Sequence, residues 1–223
     1  MKKETIIVAG GTGQRMGSTT PKQFLPLKGE IILMRTISLF HSFDTSMKII
    51  LTLPEHEIQT WHKLCQQRKF TVPHTIVAGG ETRFHSVKNG LAKVSGKGLV
   101  AVHDGVRPLV TTETIKKAFE EARKSGSAIP YSDIHESLRY VNDNENYPVS
   151  RDYYKTIQTP QVFKSELILE AYKTNYREQF TDDASVVEFG GGKISLIKGN
   201  PENIKITTKK DLAVAEVLLR FVS

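Results

Sequence analysis

A run of close-set glycines directly after an apolar strand constrains this chain most. Residues Val8 to Phe24 read VAGGTGQRMGSTTPKQF and follow the apolar stretch Thr5 to Val8. Glycine has no Cβ, so the turn Ala9-Gly10-Gly11-Thr12-Gly13 lets backbone N–H groups close around a phosphate chain. Arg15 and Lys22 stand near enough in sequence to face the same anion. The stretch is therefore read as a triphosphate cradle. The competing reading is a plain Gly-rich turn with two solvated cations.

Two common phosphate motifs fail here. Counted from Gly11, the dinucleotide fingerprint G-x-G-x-x-G ends on Met16, and a dinucleotide-dependent reductase fails with it. No Gly-Lys-Ser/Thr run completes a P-loop. Gln14-Arg15-Met16-Gly17 followed by Pro21-Lys22-Gln23 instead resembles the nucleotidyltransferase consensus, G-x-G-x-R-M and then P-K. Such enzymes join a nucleotide to a phosphorylated sugar or polyol.

The 223 residues suit one domain, and 39% hydrophobic content is enough for an ordinary core. Lys plus Arg number 31 against 24 acidic residues, a formal charge of +7. That excess suits a polyanionic ligand, either a nucleotide or nucleic acid, but no basic block or aromatic-interleaved patch points to the latter. Cys65 is the only cysteine, which excludes an intrachain disulfide and a Cys-based metal site; its thiol is expected to be half-buried. The charged start Met1 to Thr5 does not resemble a secretion signal, and no apolar run reaches membrane length. A soluble cytoplasmic protein without a membrane partner is expected.

Short β-rich runs alternate with helical periods, which predicts an α/β fold with a mainly parallel, twisted sheet flanked by helices. Strands are expected at Thr5–Val8, Lys48–Leu53, Thr75–Ala78, Leu99–Val102, Ala128–Tyr131 and Ile194–Ile197. Helices are expected at Ile31–Phe40, through Trp61 and Leu64, through Val87, Leu91 and Val94, and at Thr112–Lys124. Further helices are expected at Lys164–Asn175, Ala184–Phe189 and from Lys209. Trp61 is read as a packing residue. Thr208 and Asp211 suit a cap on the last helix, with Val214, Val217, Leu218 and Phe221 as one face. Residues 132–153 break the rhythm: Leu138–Val141 and Tyr147–Ser150 flank a polar turn, a hairpin pattern that needs cover from something, such as another subunit.

The glycine loop, Gly79-Gly80-Glu81 and His103-Asp104-Gly105-Val106-Arg107-Pro108 each follow a predicted parallel strand. They should gather at the carboxyl edge of the sheet, where open α/β folds bind ligands. Asp104 is read as a holder of a ribose hydroxyl or a metal-bound water, or else as a cap on its own turn. Arg107 reaches an anion or pairs with Asp104, and His103 packs or hydrogen-bonds rather than acting as a base.

VAGGTGQRMG, PKQF, GGETRFHSV, HDGVRP, QTPQVF, TDDAS and NIKITTKKDL occur in this order. Together they resemble the 2-C-methyl-D-erythritol 4-phosphate cytidylyltransferase family of the non-mevalonate isoprenoid pathway across nearly the whole chain. The resemblance implies a Rossmann-like nucleotidyltransferase domain over residues 1–223, with 132–153 as a β-arm that locks a homodimer. It implies CMP transfer from CTP to a phosphorylated polyol, assisted by Mg²⁺, with release of pyrophosphate. By position, Arg15 and Lys22 match the pair that stabilises the transition state, and Ala9, Gly10, Gly11, Gly80, Glu81 and Ser86 match the cytidine site. Arg151 and Lys205 match the cations on the acceptor's phosphate; Ser137, Thr159 and Thr181 match hydroxyl-bearing neighbours, with Gly105 and Arg107 in the same region. Ribitol 5-phosphate is the alternative acceptor, and a non-catalytic nucleic-acid or anion-binding protein is the alternative of another class. This sequence departs from the family in HDGVRP, where H-D-A-A-R-P is usual. It departs again at Ser137, where the arm has Thr, and at Ser150, where an Asp usually precedes the arm arginine.

Overall fold

The computed structural model describes residues 1–10 and 20–222. Gly11, Thr12, Gly13 and Arg15 lie outside the described residues. In chain order the strands are β1 (Lys3–Val8), β2 (Pro26–Leu27), β3 (Glu30–Ile31), β4 (Lys48–Leu53), β5 (Thr75–Ala78) and β6 (Leu99–Asp104). They continue with β7 (Ser127–Asp133), β8 (Leu138–Val141), β9 (Asn146–Val149), β10 (Lys155–Ile157), β11 (Gln161–Lys164) and β12 (Leu196–Lys198). The helices are α1 (Ile32–Phe43), α2 (Ile58–Arg68), α3 (Arg83–Leu91), α4 (Thr112–Ser125), α5 (Ser165–Ala171), α6 (Asp183–Phe189) and α7 (Lys209–Leu218).

The main sheet runs β10-β7-β11-β6-β1-β4-β5, with β12 also paired to β7. Strands β6, β1, β4 and β5 are mutually parallel. Val8 lies opposite both Thr52 and Asp104, and Leu53 opposite Ala78, so all four strands end at one level. Side chains alternate between two buried layers, as period 2 requires. Ile7, Ile49, Leu51 and Ala101 face a core with Phe40, Trp61 and Phe119, whereas Ile6, Ile50, Val100 and Val102 face Phe84, Val87 and Val187. Trp61 is fully buried, and Cys65 is half-buried.

Two antiparallel strands of the main sheet were not expected, nor was the short β2–β3 pair. Residues Gln161–Lys164 pair with both β6 and β7, while Lys155–Ile157 pair with β7. Hence the helix predicted from Lys164 begins at Ser165, and it ends at Ala171. The strand predicted at Ile194–Ile197 is shifted to Leu196–Lys198 by its pairing with Ile129–Tyr131. On α7 the Thr208–Asp211 capping box is present, but Val214, Val217 and Phe221 are exposed. The helix instead rests on Ala215, flanked by Leu212, Leu218 and Leu219, over a small patch of Leu27, Ile32, Val106 and Ile206. Phe221 lies past the helix end, so helical spacing does not govern it. The β8–β9 hairpin forms its own two-stranded sheet, with Tyr140 stacked on Tyr147 at 5.0 Å and both exposed.

Gly90 lets α3 lie directly on the sheet. A Cβ there would stand 2.8 Å from Ile6 Cγ2 and 3.2 Å from Thr52 Cγ2. Gly90→Ala gains about 1 kcal/mol of helix propensity, but overpacking costs about 1–3 kcal/mol. A net loss of about 1 kcal/mol in urea unfolding is expected; a stabilised variant would contradict this close approach.

Candidate active site

Because the parallel strands end level, their following loops surround one cleft of about 250 Å³. Ala9, Gly10, Lys22, Gly80, Glu81, Ser86, Asp104 and Lys205 all line it. Ser86 braces the turn after β5: its Oγ accepts from Gly80 N at 3.1 Å and donates to Thr82 O at 3.1 Å. Lys22 sits on a single 3₁₀ turn that is held on both sides. Gln23 Nε2 donates to Ala9 O at 3.0 Å, and the Phe24 ring stacks on Trp61 at 5.9 Å. The Lys22 side chain is thereby kept in the cleft wall, mostly buried.

A second cleft of about 260 Å³ adjoins the first and is lined by Arg107, Gln158, Thr159, Gln161, Thr181 and Asp182. Arg83, Asp104 and Lys205 line both clefts and form the wall between them. Ser137 and Arg151 line neither. Both are exposed at the base of the hairpin, where Arg151 Nη1 donates to His135 O. Gly105 lies beneath the wall, donating to Val8 O at 2.8 Å. A Cβ at Gly105 would come within 3.0 Å of Leu33 Cδ1, while Val106 fills the neighbouring core. The departure HDGVRP thus moves bulk from one side of the turn to the other.

Asp104 is the centre of the wall. Its Oδ2 accepts from Lys205 Nζ at 3.0 Å and Arg107 Nε at 3.3 Å, and its Oδ1 meets Arg83 Nε at 3.4 Å. Burial alone raises the Asp104 pKa, but Arg83, Lys205 and Arg107 outweigh it and hold the carboxyl well below the usual carboxylate range. Arg107 also donates to Asn203 O at 2.7 Å. Buried Asn203 in turn holds Thr159 O at 2.8 Å, and Ile206 N donates to Val106 O, so Lys205 lies between two anchored residues.

Thr159 and His103 are committed to each other. His103 Nε2 lies 3.1 Å from Arg107 O, an acceptor only, so this nitrogen carries the proton. Nδ1 is then the acceptor for Thr159 Oγ1 at 3.0 Å, and the same hydroxyl accepts from Asp104 N at 3.1 Å. The Thr159 proton is spent inside the wall, and Thr159 fixes the end of β6. Burial drives the His103 pKa down to about 4, only partly offset by its hydrogen bond to Arg107 O.

Sequence reasoning passed over Arg83, Asp183 and Gln161. Arg83 Nη2 donates to buried Asp183 Oδ2 at 2.7 Å, and Gln161 Nε2 donates to Asp182 Oδ2 at 2.7 Å. The available signal was the position of Arg83 three residues after Gly80, and of paired aspartates in TDDAS. No helix of the described residues is long and apolar enough to cross a membrane. Nor do the described residues contain a cluster of three or more His, Cys, Asp or Glu suited to a metal ion.

A mostly parallel sheet with a cation-lined cleft at its carboxyl edge defines a nucleotide-handling α/β protein. Residues 4–221 match the family model described as IspD, 2-C-methyl-D-erythritol 4-phosphate cytidylyltransferase. The proteins of that name from Phocaeicola vulgatus and Bacteroides fragilis are each 52% identical over 219 residues, spanning 98% of this chain and 100% of theirs. The solved 4-diphosphocytidyl-2C-methyl-D-erythritol synthase of Anaerococcus prevotii superposes with a TM-score of 0.83 at 27% identity, covering 98% of each chain. The Thermus thermophilus enzyme gives 0.77 at 29%, covering 99% of this chain and 100% of its own. The chain belongs to the 2-C-methyl-D-erythritol 4-phosphate cytidylyltransferase family, and it is a nucleotidyltransferase.

The lowered His103 pKa has a measurable consequence. Between pH 6.5 and 5 the unfolded chain protonates this residue and the folded one does not, so stability falls with pH by about 2 kcal/mol. Denaturant unfolding at both pH values should show a loss about 2 kcal/mol larger in the parent protein than in His103→Gln. His74, whose pKa burial also lowers, contributes to both proteins and cancels in the difference. Equal slopes would contradict a neutral, buried imidazole.

Proposed function

We propose that this protein transfers CMP from CTP to 2-C-methyl-D-erythritol 4-phosphate. The acceptor phosphate attacks the α-phosphorus in line, giving 4-diphosphocytidyl-2-C-methyl-D-erythritol and pyrophosphate. The observation that carries this reading is a pair of adjacent clefts sharing one cationic wall, a place for each of two anions that would otherwise repel. The relatives' shared name supplies the acceptor.

In this reading CTP occupies the first cleft. Ala9, Gly10 and Gly11 are assigned to the nucleotide, and Gly80, Glu81 and Ser86 border the cytidine. Thr12 and Gly13 are assigned to the nucleotide's phosphates, and Arg15 and Lys22 to the charge that grows at the α-phosphorus. The acceptor occupies the second cleft, beside Lys205, Arg107 and Thr181. A phosphomonoester has a second pKa of about 6, so at neutral pH it is already a nucleophile and needs no base. Positioning and charge neutralisation are what remain for the protein to supply.

Mg²⁺ belongs to this reading as a charge neutraliser carried on CTP. Asp104 is engaged by three cations, and the described residues of the cleft offer no other buried carboxylate, so phosphate oxygens and water fit as its ligands. The protein acts as a cytoplasmic homodimer in which residues 132–153 reach the other subunit. The exposed Tyr140, Val141 and Tyr147 on an otherwise isolated hairpin support that placement. Ser137 and Arg151 then serve the neighbouring subunit's acceptor.

Steady-state turnover with CTP and each acceptor tests the reaction; faster pyrophosphate release with ribitol 5-phosphate would overturn the choice. Lys22→Ala should lower kcat by about 10²–10³-fold, with CTP affinity changed less than about tenfold, because its charge acts mainly in the transition state. Unchanged kcat would remove it from catalysis. Arg151→Ala should raise the acceptor KM and spare CTP affinity; the reverse pattern would reject its acceptor role.

A further inference from the structure

Two charged residues in the motifs GGETRFHSV and TDDAS have no part in the roles above, yet they meet across 100 residues of sequence. Arg83 opens α3 and donates from Nη2 to Asp183 Oδ2 at 2.7 Å. Asp183 is 0% exposed, and its other oxygen accepts from the buried Tyr172 hydroxyl at 2.6 Å. With both oxygens engaged, this carboxylate has little freedom to turn. A guanidinium is a rigid planar fork, so gripping Asp183 through Nη2 also fixes where Nε points. Nε points at Asp104 Oδ1, which leaves Oδ2 to Lys205 at 3.0 Å and Arg107 at 3.3 Å. A continuous relay, Tyr172–Asp183–Arg83–Asp104–Lys205, thus runs from the core to the wall between the clefts.

A merely structural ion pair is the alternative, and the packing argues against it. The same two segments are already joined by aromatic stacking: Phe84 lies on Tyr172 at 4.7 Å and on Phe180 at 5.7 Å. Docking of α3 therefore does not hang on the charges. Arg83 also remains 28% exposed and borders both clefts, whereas an ion pair serving the core alone has no reason to stand at a ligand surface.

We infer that Arg83, anchored by Asp183, is a positioning residue that orients Asp104 and thereby presents Lys205 to the acceptor phosphate. The inference rests on the assignment of the second cleft to the acceptor made above. Its prediction is asymmetric. Lysine keeps the charge at position 83 but cannot bridge two carboxylates in a fixed plane, and misplacing a positioning cation by about 1 Å costs up to ~10²-fold.

The test uses the full chain. CTP affinity is measured by titration without acceptor, kcat and KM are measured with 2-C-methyl-D-erythritol 4-phosphate, and folding is followed by thermal unfolding. Arg83→Lys and Asp183→Asn should each raise the acceptor KM at least about tenfold while CTP affinity moves less than about threefold. Because both act through one relay, the double variant should be no worse than the worse single. If Asp183→Asn does not fold, Tyr172→Phe, which removes only one donor to Asp183, should give a smaller rise in the same KM. Folded variants with an unmoved acceptor KM, parallel loss of CTP and acceptor binding, or multiplying effects in the double variant would each overturn the inference. A parent enzyme that binds CTP but does not use this acceptor would sink the functional reading and the inference together. An active parent with unmoved variants sinks the inference alone.

Discussion

Asp104 draws Arg83, Arg107 and Lys205 together from three segments that are far apart in the chain. A buried carboxylate is costly unless paired, and buried cations repel unless an anion lies between them. Each condition here answers the other. The end of β6 supplies the anion, the turn after it supplies Arg107, the start of α3 supplies Arg83, and the segment before α7 supplies Lys205. The carboxyl edge of the sheet is thereby knitted into one wall with a net positive charge.

That excess charge makes the wall useful. Asp104 and Asp183 together leave three cations one positive charge in excess, and the wall that carries it borders both clefts. Joining two phosphate-bearing molecules demands that their mutual repulsion be overcome before any bond forms. A shared wall lowers that repulsion for both partners while holding them in register. Thr159 and neutral His103 contribute from behind, fixing the end of β6 through hydrogen bonds that engage the Thr159 hydroxyl and both ring nitrogens.

Much of this was legible in the sequence wherever the determining contacts are local. Apolar runs such as Ile49–Leu53 and Leu99–Val102 gave strands, and turns after them marked the carboxyl edge. Arg107 lies three residues from Asp104, so their pairing was foreseeable. Other features depend on distant partners. Residues Gln161–Lys164 form a strand only because β6 and β7 offer edges on either side. Lys205 reaches Asp104, and Arg83 reaches Asp183, across about a hundred residues each, so no spacing rule reports them. The face of α7 was misjudged because apolar periodicity marks candidates for burial, whereas the small patch beneath admits only the row through Ala215.

The most direct measurement is the kinetics of Asp104→Asn beside its thermal unfolding. The amide keeps the shape and removes the charge, leaving three cations without their shared anion. If the wall works as described, CTP still binds, the chain still folds, and kcat/KM for the acceptor falls by at least about 100-fold. A folded Asp104→Asn enzyme with parent kcat/KM would show that the carboxylate does not hold the wall.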